Sequence, residues 1–484
     1  MTANIFKYIM ALCAVALYSS CYKDKGNYEY TEPNKVTITG INDKYTVMQG
    51  TYLEIIPQLT PTDTTAADSA RYAYEWIALK NGALITDKRK DLSTNKSLRI
   101  NMALASGSYS MYYRVKDKQT GLQFQKTFDM DVVSSIYEGW MLMTEVNGAA
   151  RMDMISKISG QYNVIPDVLA YVGSSLVLKG KPVNVSTFQH NPLVDGYGIF
   201  MSTDQSTDRV DPETFQYKST YNIKYEMISN VPDNFAATSF LTTGGYRSYM
   251  ISGTDAYYYY YVLNVRYGLP INILKDEAHT FKVAPFIAVN SGAQVTVFYD
   301  ITNKRFVRHV SSESTCSLMP TGTMFDYNTG MDLVYMTYSS FANGNVFAIL
   351  FDAVNNKYFL ARFVFGASIQ QVYYDEMPAT GIAQAKNFAV SPDLGYIFYT
   401  VGGKLYSYDM SAKASKLMID KGNQSFTLLQ FRGNLMAASV DPSKPEGANG
   451  TLEEYNVPPV QGSLLKANSW SGVGKIISAS YRSR

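Results

Sequence analysis

Three stretches in the second half of this 484-residue chain repeat one pattern. Val297-Phe298-Tyr299-Asp300 leads into Ile301-Thr302-Asn303-Lys304, and Ile349-Leu350-Phe351-Asp352 leads into Ala353-Val354-Asn355-Asn356-Lys357. Leu405-Tyr406-Ser407-Tyr408-Asp409 leads into Met410-Ser411-Ala412-Lys413, and Leu452-Glu453-Glu454-Tyr455-Asn456 is a weaker fourth copy. Each is an apolar strand closed by aromatic-Asp, then a polar turn that reaches a lysine. The aromatic packs between sheets, and the carboxylate accepts hydrogen bonds from N–H groups of the turn it opens. The aspartates lie 52 and 57 residues apart, and Asn456 follows 47 later. A period of about 40 to 50 residues with four strands per unit is that of a propeller blade. Residues 135–484 therefore read as a β-propeller of about seven blades, with six and eight as the alternatives. A sandwich whose hairpins reuse one turn chemistry is the competing reading.

Residues 34–134 show short strands with turn punctuation. They are Val36-Thr37-Ile38, Tyr45-Thr46-Val47, Tyr52 to Ile56, Tyr72 to Ile77, Leu98-Arg99-Ile100, Tyr109 to Val115 and Phe128 to Val132. Seven strands in about 100 residues match an immunoglobulin-like sandwich. Trp76 alternates with Tyr74 and Tyr72, as a core tryptophan on an inner strand would. With only Cys13, Cys21 and Cys316 in the chain, no cysteine pair braces this core, and packing alone must hold it.

The first 21 residues carry Lys7, an apolar run from Tyr8 to Tyr18, and Ser19-Ser20-Cys21. A basic start, a short apolar stretch and small residues before a cut site make a secretory signal. The run of about 11 residues is too short to span a bilayer, which takes about 20. Small residues leading into a cysteine form a lipobox, although Leu17 stands four residues before Cys21 and Tyr18 fills the usual leucine place. Residues 1–20 are thus expected to be cleaved and Cys21 to take the lipid, tethered through the polar segment 21–33. An ordinary secretory signal with a chance cysteine is the alternative. Lys23-Asp24 after the cysteine resembles the surface-export tag of Bacteroidetes lipoproteins, which implies an outer-membrane, surface-exposed location.

The N-terminal domain resembles the PKD domain. Tyr74-Glu75-Trp76 with Gly82, then Gly107-Ser108-Tyr109, Tyr113-Arg114-Val115-Lys116-Asp117 and Thr120-Gly121 carry the likeness. Tyr137-Glu138-Gly139-Trp140-Met141-Leu142-Met143 resembles the junction that follows it in the PKD-like lipoproteins of Bacteroidetes. So does the ending, Gly450 to Tyr455 with Ser469-Trp470-Ser471-Gly472-Val473-Gly474-Lys475-Ile476. The resemblance implies an all-β protein, a PKD/Ig-like sandwich followed by a propeller, and neighbours of the SusC/SusD type: a TonB-dependent transporter and its substrate-capturing lipoprotein.

Catalytic chemistry has little to stand on in this sequence. The three histidines, His190, His279 and His309, have no second ligand at metal spacing, and no G-x-S-x-G elbow or full P-loop is present. Gly472-Val473-Gly474-Lys475 lacks the spacing of a phosphate loop and reads as a turn into a strand. The loop 202–214, with Asp204, Asp208, Asp211 and Glu213, has no glycine for a calcium turn and reads as solvated. Asp300 and Asp352 could pair as glycosidase carboxylates, but their blade-period repetition argues for turns. A net charge of +2 without basic blocks excludes nucleic acid as an implied partner. No metal or cofactor is expected. Cys316, alone in an apolar segment, reads as a buried small hydrophobe.

Tyrosine is abundant, with 40 residues, and Tyr257 to Tyr261 run consecutively. Alternation sends three rings to one face and two to the other. A structural use in the sheet core is the first reading. An exposed platform of Tyr257, Tyr259 and Tyr261 for a sugar or peptide is the second. The functional expectation is a non-catalytic binding or scaffolding lipoprotein in a SusC/SusD-type uptake system for glycan or peptide. A surface hydrolase and a structural adhesin are the alternatives.

Overall fold

The computed structural model describes residues 33–483 apart from 64–68, 83–87, 159, 193–195, 291–293 and 366–367. Cys21, the signal segment and the tether up to residue 32 lie outside the described residues. The chain divides between Val132 and Val133 into two compact units.

The first unit is a sandwich of antiparallel strands. One sheet runs in the order Lys44–Met48, Gln123–Val133, Gly107–Asp117, Tyr72–Lys80, Arg89–Ser93, and two strand pairs, Val36–Thr39 with Gln58–Pro61 and Tyr52–Ile55 with Leu98–Asn101, complete it. Trp76 is fully buried among Tyr113, Met111, Phe128 and Leu98, with its indole 4.3 Å from the Tyr113 ring and its Nε1 donating to the Asn95 carbonyl at 2.9 Å. Asp117, at the end of its strand, is buried. It accepts from the Arg71 guanidinium at 2.7 Å and from the Gln119 N–H at 2.9 Å. The guanidinium outweighs burial and holds this carboxyl well below the usual carboxylate range. Two strands, Gln58–Pro61 and Arg89–Ser93, add to the expected seven. Neither carries a strand signal: one follows Pro57 and ends in proline, and the other is Arg-Lys-Asp-Leu-Ser. Both compositions suit a sheet edge, where proline and charge deter further pairing.

The second unit is a ring of seven sheets in chain order. Blade 2 holds Pro182–Gln189, Tyr197–Thr203 and Thr207–Val210. Blade 3 holds Ser239–Gly244, Arg247–Ser252 and Asp255–Tyr260. Blade 4 runs through Ala288–Asn290, Val295–Asp300, Arg305–Val310 and Cys316–Leu318, and blade 5 through Asp332–Ser339, Asn345–Asp352, Lys357–Phe365 and Ile369–Glu376. Blade 6 comprises Lys386–Val390, Ile397–Val401, Lys404–Asp409 and Ala414–Asp420. Blade 7 comprises Ser425–Arg432, Asn434–Val440, Gly450–Asn456 and Leu465–Val473. Blade 1 is composite: Gly139–Val146, Ala149–Ile158 and Gln161–Ile165 take as their fourth strand Lys475–Arg482, from the far end of the chain. The first strand of each blade touches the first strand of the next. Lys475–Arg482 closes that inner circle between Ser425–Arg432 and Pro182–Gln189. The seven-bladed expectation is met.

Seven apolar cores, one between each pair of adjacent blades, hold the ring. Strand alternation feeds them: Val297 and Tyr299 face the core shared with blade 5, while Phe298 faces the core shared with blade 3. The core between blades 7 and 1 joins Trp140 and Leu142 to Trp470, Val473 and Ile476. Segments from the two ends of the second unit thus meet in one cluster. At this seam Asp153 is fully buried. It accepts from Arg151 Nε at 2.6 Å, from the N–H of Asp167 at 2.8 Å and from the N–H of Gly474 at 2.8 Å. The Gly-Val-Gly-Lys segment is therefore the hinge into the closing strand. Its glycine is required by space, because a Cβ at Gly474 would press on Thr144 and Val146.

The repeated aspartates do what their turns need. Asp300 Oδ1 accepts from the N–H groups of Thr302 and Asn303 at 2.9 and 3.0 Å, and its Oδ2 takes Arg305 Nε at 2.8 Å. Asp352 accepts from Val354 and Asn355, and Asp409 from Ser411 and Ala412, in the same way. Their phase differs from the expectation of one strand place per blade. Asp300 and Asp352 close the second strands of blades 4 and 5, whereas Asp409 and Asn456 close the third strands of blades 6 and 7. The motif marks a hairpin, not one fixed place in the blade, which is why the 57-residue interval is long and the 47-residue one is not.

Candidate functional site

Blades 2 and 3 have three strands each, and long connections follow them: residues 211–238 lead to blade 3, and residues 261–287 lead to blade 4. Connections of this length in a compact domain are commonly functional. The first of them, with the loop 174–178 from blade 1, borders a cleft of about 450 Å³. A second hollow of about 320 Å³ shares Leu176 and Val177 with it and reaches Arg151, Asp167 and Ser174.

Asp208, on the outer strand of blade 2, organises the cleft. Its Oδ2 accepts from Ser206 Oγ at 2.7 Å, and its Oδ1 accepts from Tyr217 Oη at 2.9 Å and Asn222 Nδ2 at 3.0 Å. The loop expected to be solvated therefore contains a buried carboxylate. Strand alternation turns Asp208 inward, and three donors offset its loss of water. Asp211 does stay a turn residue, accepting from the N–H groups of Glu213 and Thr214. Burial and then the Asp208 hydrogen bond push the Tyr217 hydroxyl far up, so it stays protonated. Asn222 Oδ1 accepts from the Lys224 N–H at 3.1 Å, which fixes the amide orientation. Lys224 Nζ pairs with Asp233 at 3.0 Å, and Arg209 stacks 4.1 Å from the Tyr221 ring centre while its Nε meets Glu226 at 3.1 Å. Lys179, Gln205 and Asn234 complete the walls beside Leu176 and Val177. The arrangement offers fixed hydroxyl and amide groups beside an aromatic edge. It suits a neutral, hydroxyl-rich or amide-rich ligand better than an ion.

The sequence did not point to this cleft: Asp208 was visible only as one acid in a loop, and Tyr217 and Asn222 carried no motif. The tyrosine run lies elsewhere, and the platform expectation is corrected for two of its members. Tyr257 and Tyr259 are buried in the core between blades 2 and 3, with Tyr261 packed partly buried against it, and Tyr258 is buried in the core between blades 3 and 4. The alternation is as expected, but a blade inside a ring has a neighbour on both faces, so both sets of rings are covered.

The histidines are not gathered into a site. His190 is buried beside the Phe188, Phe200 and Tyr259 rings. His279 is exposed in the second long connection. His309 is buried between Tyr249 Oη, 2.8 Å from Nδ1, and the Glu313 carbonyl, 2.9 Å from Nε2. Burial lowers its pKa to about 4. Cys316 is buried in the same core, and burial raises its thiol pKa. Asp300 and Asp352 are each engaged by their own turns. Among the described residues no group of three or more His, Cys, Asp or Glu is placed to hold a metal ion, and no helix is long and apolar enough to cross a membrane.

Residues 21–182 match the PKD-like family model, a span that runs through the sandwich and the strands Gly139–Val146, Ala149–Ile158 and Gln161–Ile165 of blade 1 to the first residue of blade 2. No curated protein matches the chain. Among solved structures, a quinonprotein alcohol dehydrogenase-like protein from Bacteroides thetaiotaomicron is 13% identical with a TM-score of 0.43, covering 89% of this chain and 96% of that one. YCF48 from Cyanidioschyzon merolae is 9% identical with a TM-score of 0.38, covering 65% and 98%. Dipeptidyl peptidase 4 from Porphyromonas gingivalis is 10% identical with a TM-score of 0.38, covering 71% and 55%.

Proposed function

We propose that this protein is a non-catalytic surface lipoprotein that captures a glycan or peptide at the blade 2 cleft, as a component of a SusC/SusD-type uptake system. The carrying observation is the commitment of Asp208, whose oxygens are held by Ser206, Tyr217 and Asn222. A carboxylate bonded this way orients its neighbours, and Tyr217, whose hydroxyl is held protonated, stands fixed beside it. The lipobox ending in Cys21 and the PKD-like match at residues 21–182 support the anchored, surface-facing part of the reading.

The test is binding of the purified full chain to a panel of neutral oligosaccharides and peptides, with analysis of any product. The reading expects one class to bind and be recovered intact. Tyr217→Phe and Asn222→Ala should each weaken that binding roughly tenfold, the loss of one good polar contact. Turnover of a polysaccharide or peptide that stops in Asp208→Asn would replace this reading with a hydrolase.

A further inference from the structure

Between the short helix Val168–Tyr171 and the first strand of blade 2, the chain runs as a strap fastened at both ends. At one end the Ser174 N–H donates to the Leu169 carbonyl at 2.8 Å, and Ser174 Oγ donates to the Phe215 carbonyl at 2.6 Å. At the other end the Gly180 carbonyl accepts from the Ala150 N–H at 2.9 Å, and the Lys181 N–H donates to Asp204 Oδ1 at 2.8 Å. Between these anchors the side chains alternate as on a strand. Leu176 is buried and Leu178 packs partly buried on the same core, while Ser175, Val177 and Lys179 are exposed. None of residues 175–179 has a positive φ.

The strap nevertheless has no partner strand. Among the described residues, no N–H or C=O group of residues 175–179 bonds to another backbone group, and the Leu176 N–H reaches only Ser174 Oγ, at 3.4 Å. Side chains turned alternately inward and outward leave the N–H and C=O groups pointing sideways along the surface. Toward blade 1 the hollow of about 320 Å³ separates Leu176 and Val177 from Ala150 and Met152. Toward blade 2 the strap forms one wall of the cleft of about 450 Å³, and Gln205, Tyr217 and Asn222 stand on the others. Donors and acceptors that repeat at strand spacing are matched by a second main chain, which carries both at the same interval. The hydroxyls of a sugar have no such register.

We propose that the strap is a strand-addition site for an extended peptide, an inference that rests on the cleft reading and narrows its ligand from glycan or peptide to peptide. The peptide lies in the cleft with its main chain paired along residues 175–179. An apolar side chain of the peptide sits against the exposed Val177, and a hydroxyl or amide side chain meets the wall of Gln205, Tyr217 and Asn222.

The probe is a pool of octapeptides, acetylated and amidated at their ends, passed over the immobilised full chain beside a pool of neutral oligosaccharides. Mass spectrometry identifies what is retained, and peptides should be retained in preference to oligosaccharides. A retained peptide is then resynthesised with one amide at a time N-methylated. Methylation at every second position should weaken binding roughly tenfold and leave the positions between nearly unaffected, because alternate amides of an added strand face its partner. This scan needs no change to the protein. Val177→Pro suits an extended chain but removes one strap N–H, and should weaken binding to a similar degree at an unchanged melting midpoint, whereas Val177→Ala should bind normally. Retention of oligosaccharides alone would overturn the proposal and leave the cleft reading standing; retention of neither would overturn both. An even response along the N-methyl scan would overturn it by reducing the contact to side chains. Self-association of the chain that Val177→Pro abolishes would also overturn it, by giving the strap to a second copy.

Discussion

Blades 4 to 7 and blades 2 to 3 solve one packing problem by different means. The first group has four strands per sheet and turns set by local chemistry, such as the Asp300, Asp352 and Asp409 carboxylates bonded to N–H groups two and three residues on. Among the described residues the second group has no fourth strand, and its long connections are fastened by buried polar side chains. Asn272 is the extreme case. Fully buried, it accepts from the Ala256 N–H at 3.0 Å and donates to the Phe281 carbonyl, and its own carbonyl accepts from the Phe281 N–H at 2.9 Å. The regular sector distributes its stability over many repeated contacts. The irregular sector is fastened by a few buried polar side chains, and it is there that the cleft occurs.

The harshest way to break the comparison concerns which strand a blade can lose. Blades 2 and 3 lack the outer strand and the ring still closes, but removing residues 475–484 takes the inner strand from blade 1. That deletion should abolish cooperative melting of the second unit, followed by circular dichroism, because it opens the circle and unpairs Gly139–Val146. An unchanged midpoint would mean that inner and outer strands are equivalent.

A second pair of variants compares the two kinds of fastening. Asn272→Ala leaves a buried N–H and a buried carbonyl without partners and should cost about 3 kcal/mol in urea unfolding. Asp352→Ala, on an exposed turn, should cost distinctly less. Equal losses would erase the distinction between the sectors.

The smallest effect lies at the border between them. His309, on blade 4, faces Tyr249 of blade 3, and burial holds its pKa near 4 against an ordinary value of 6.5. A depressed pKa means that the unfolded chain takes the proton first, so this stability is complete above about pH 6.5 and is lost as the pH falls toward 4. From pH 7 to pH 5 the protein should lose about 2 kcal/mol through this group. His309→Gln should flatten that slope in denaturant unfolding at the two pH values. A slope unchanged in the variant would assign the acid sensitivity elsewhere.

What could be read from the residues follows the same division. The hairpin aspartates, the alternation of Tyr257 to Tyr261, the core place of Trp76 and the final strand near Ile476 all rest on local periodicity, and the structure contains each of them. The blade period was legible although its phase was not, because aromatic-Asp identifies a turn and says nothing of which strand precedes it. The cleft was illegible for a physical reason. Asp208, Tyr217 and Asn222 converge only after a strand has turned one inward and an irregular connection has folded back over the others. The burial of Tyr257 and Tyr259 depends likewise on the next blade, which no local pattern describes.

The composite blade has a consequence for how the protein is made. A chain emerging from its N-terminus completes Gly139–Val146 early, yet that strand's partner is about 330 residues further on, as the Glu145–Lys475 pair records. Until Lys475–Arg482 has been made the ring stays an open arc with one unpaired border. Its commitment to the native topology waits for Lys475–Arg482. A chain that stops between the blade 1 strands and Lys475 leaves Gly139–Val146 with an exposed strand edge, the kind of edge that invites pairing with another chain.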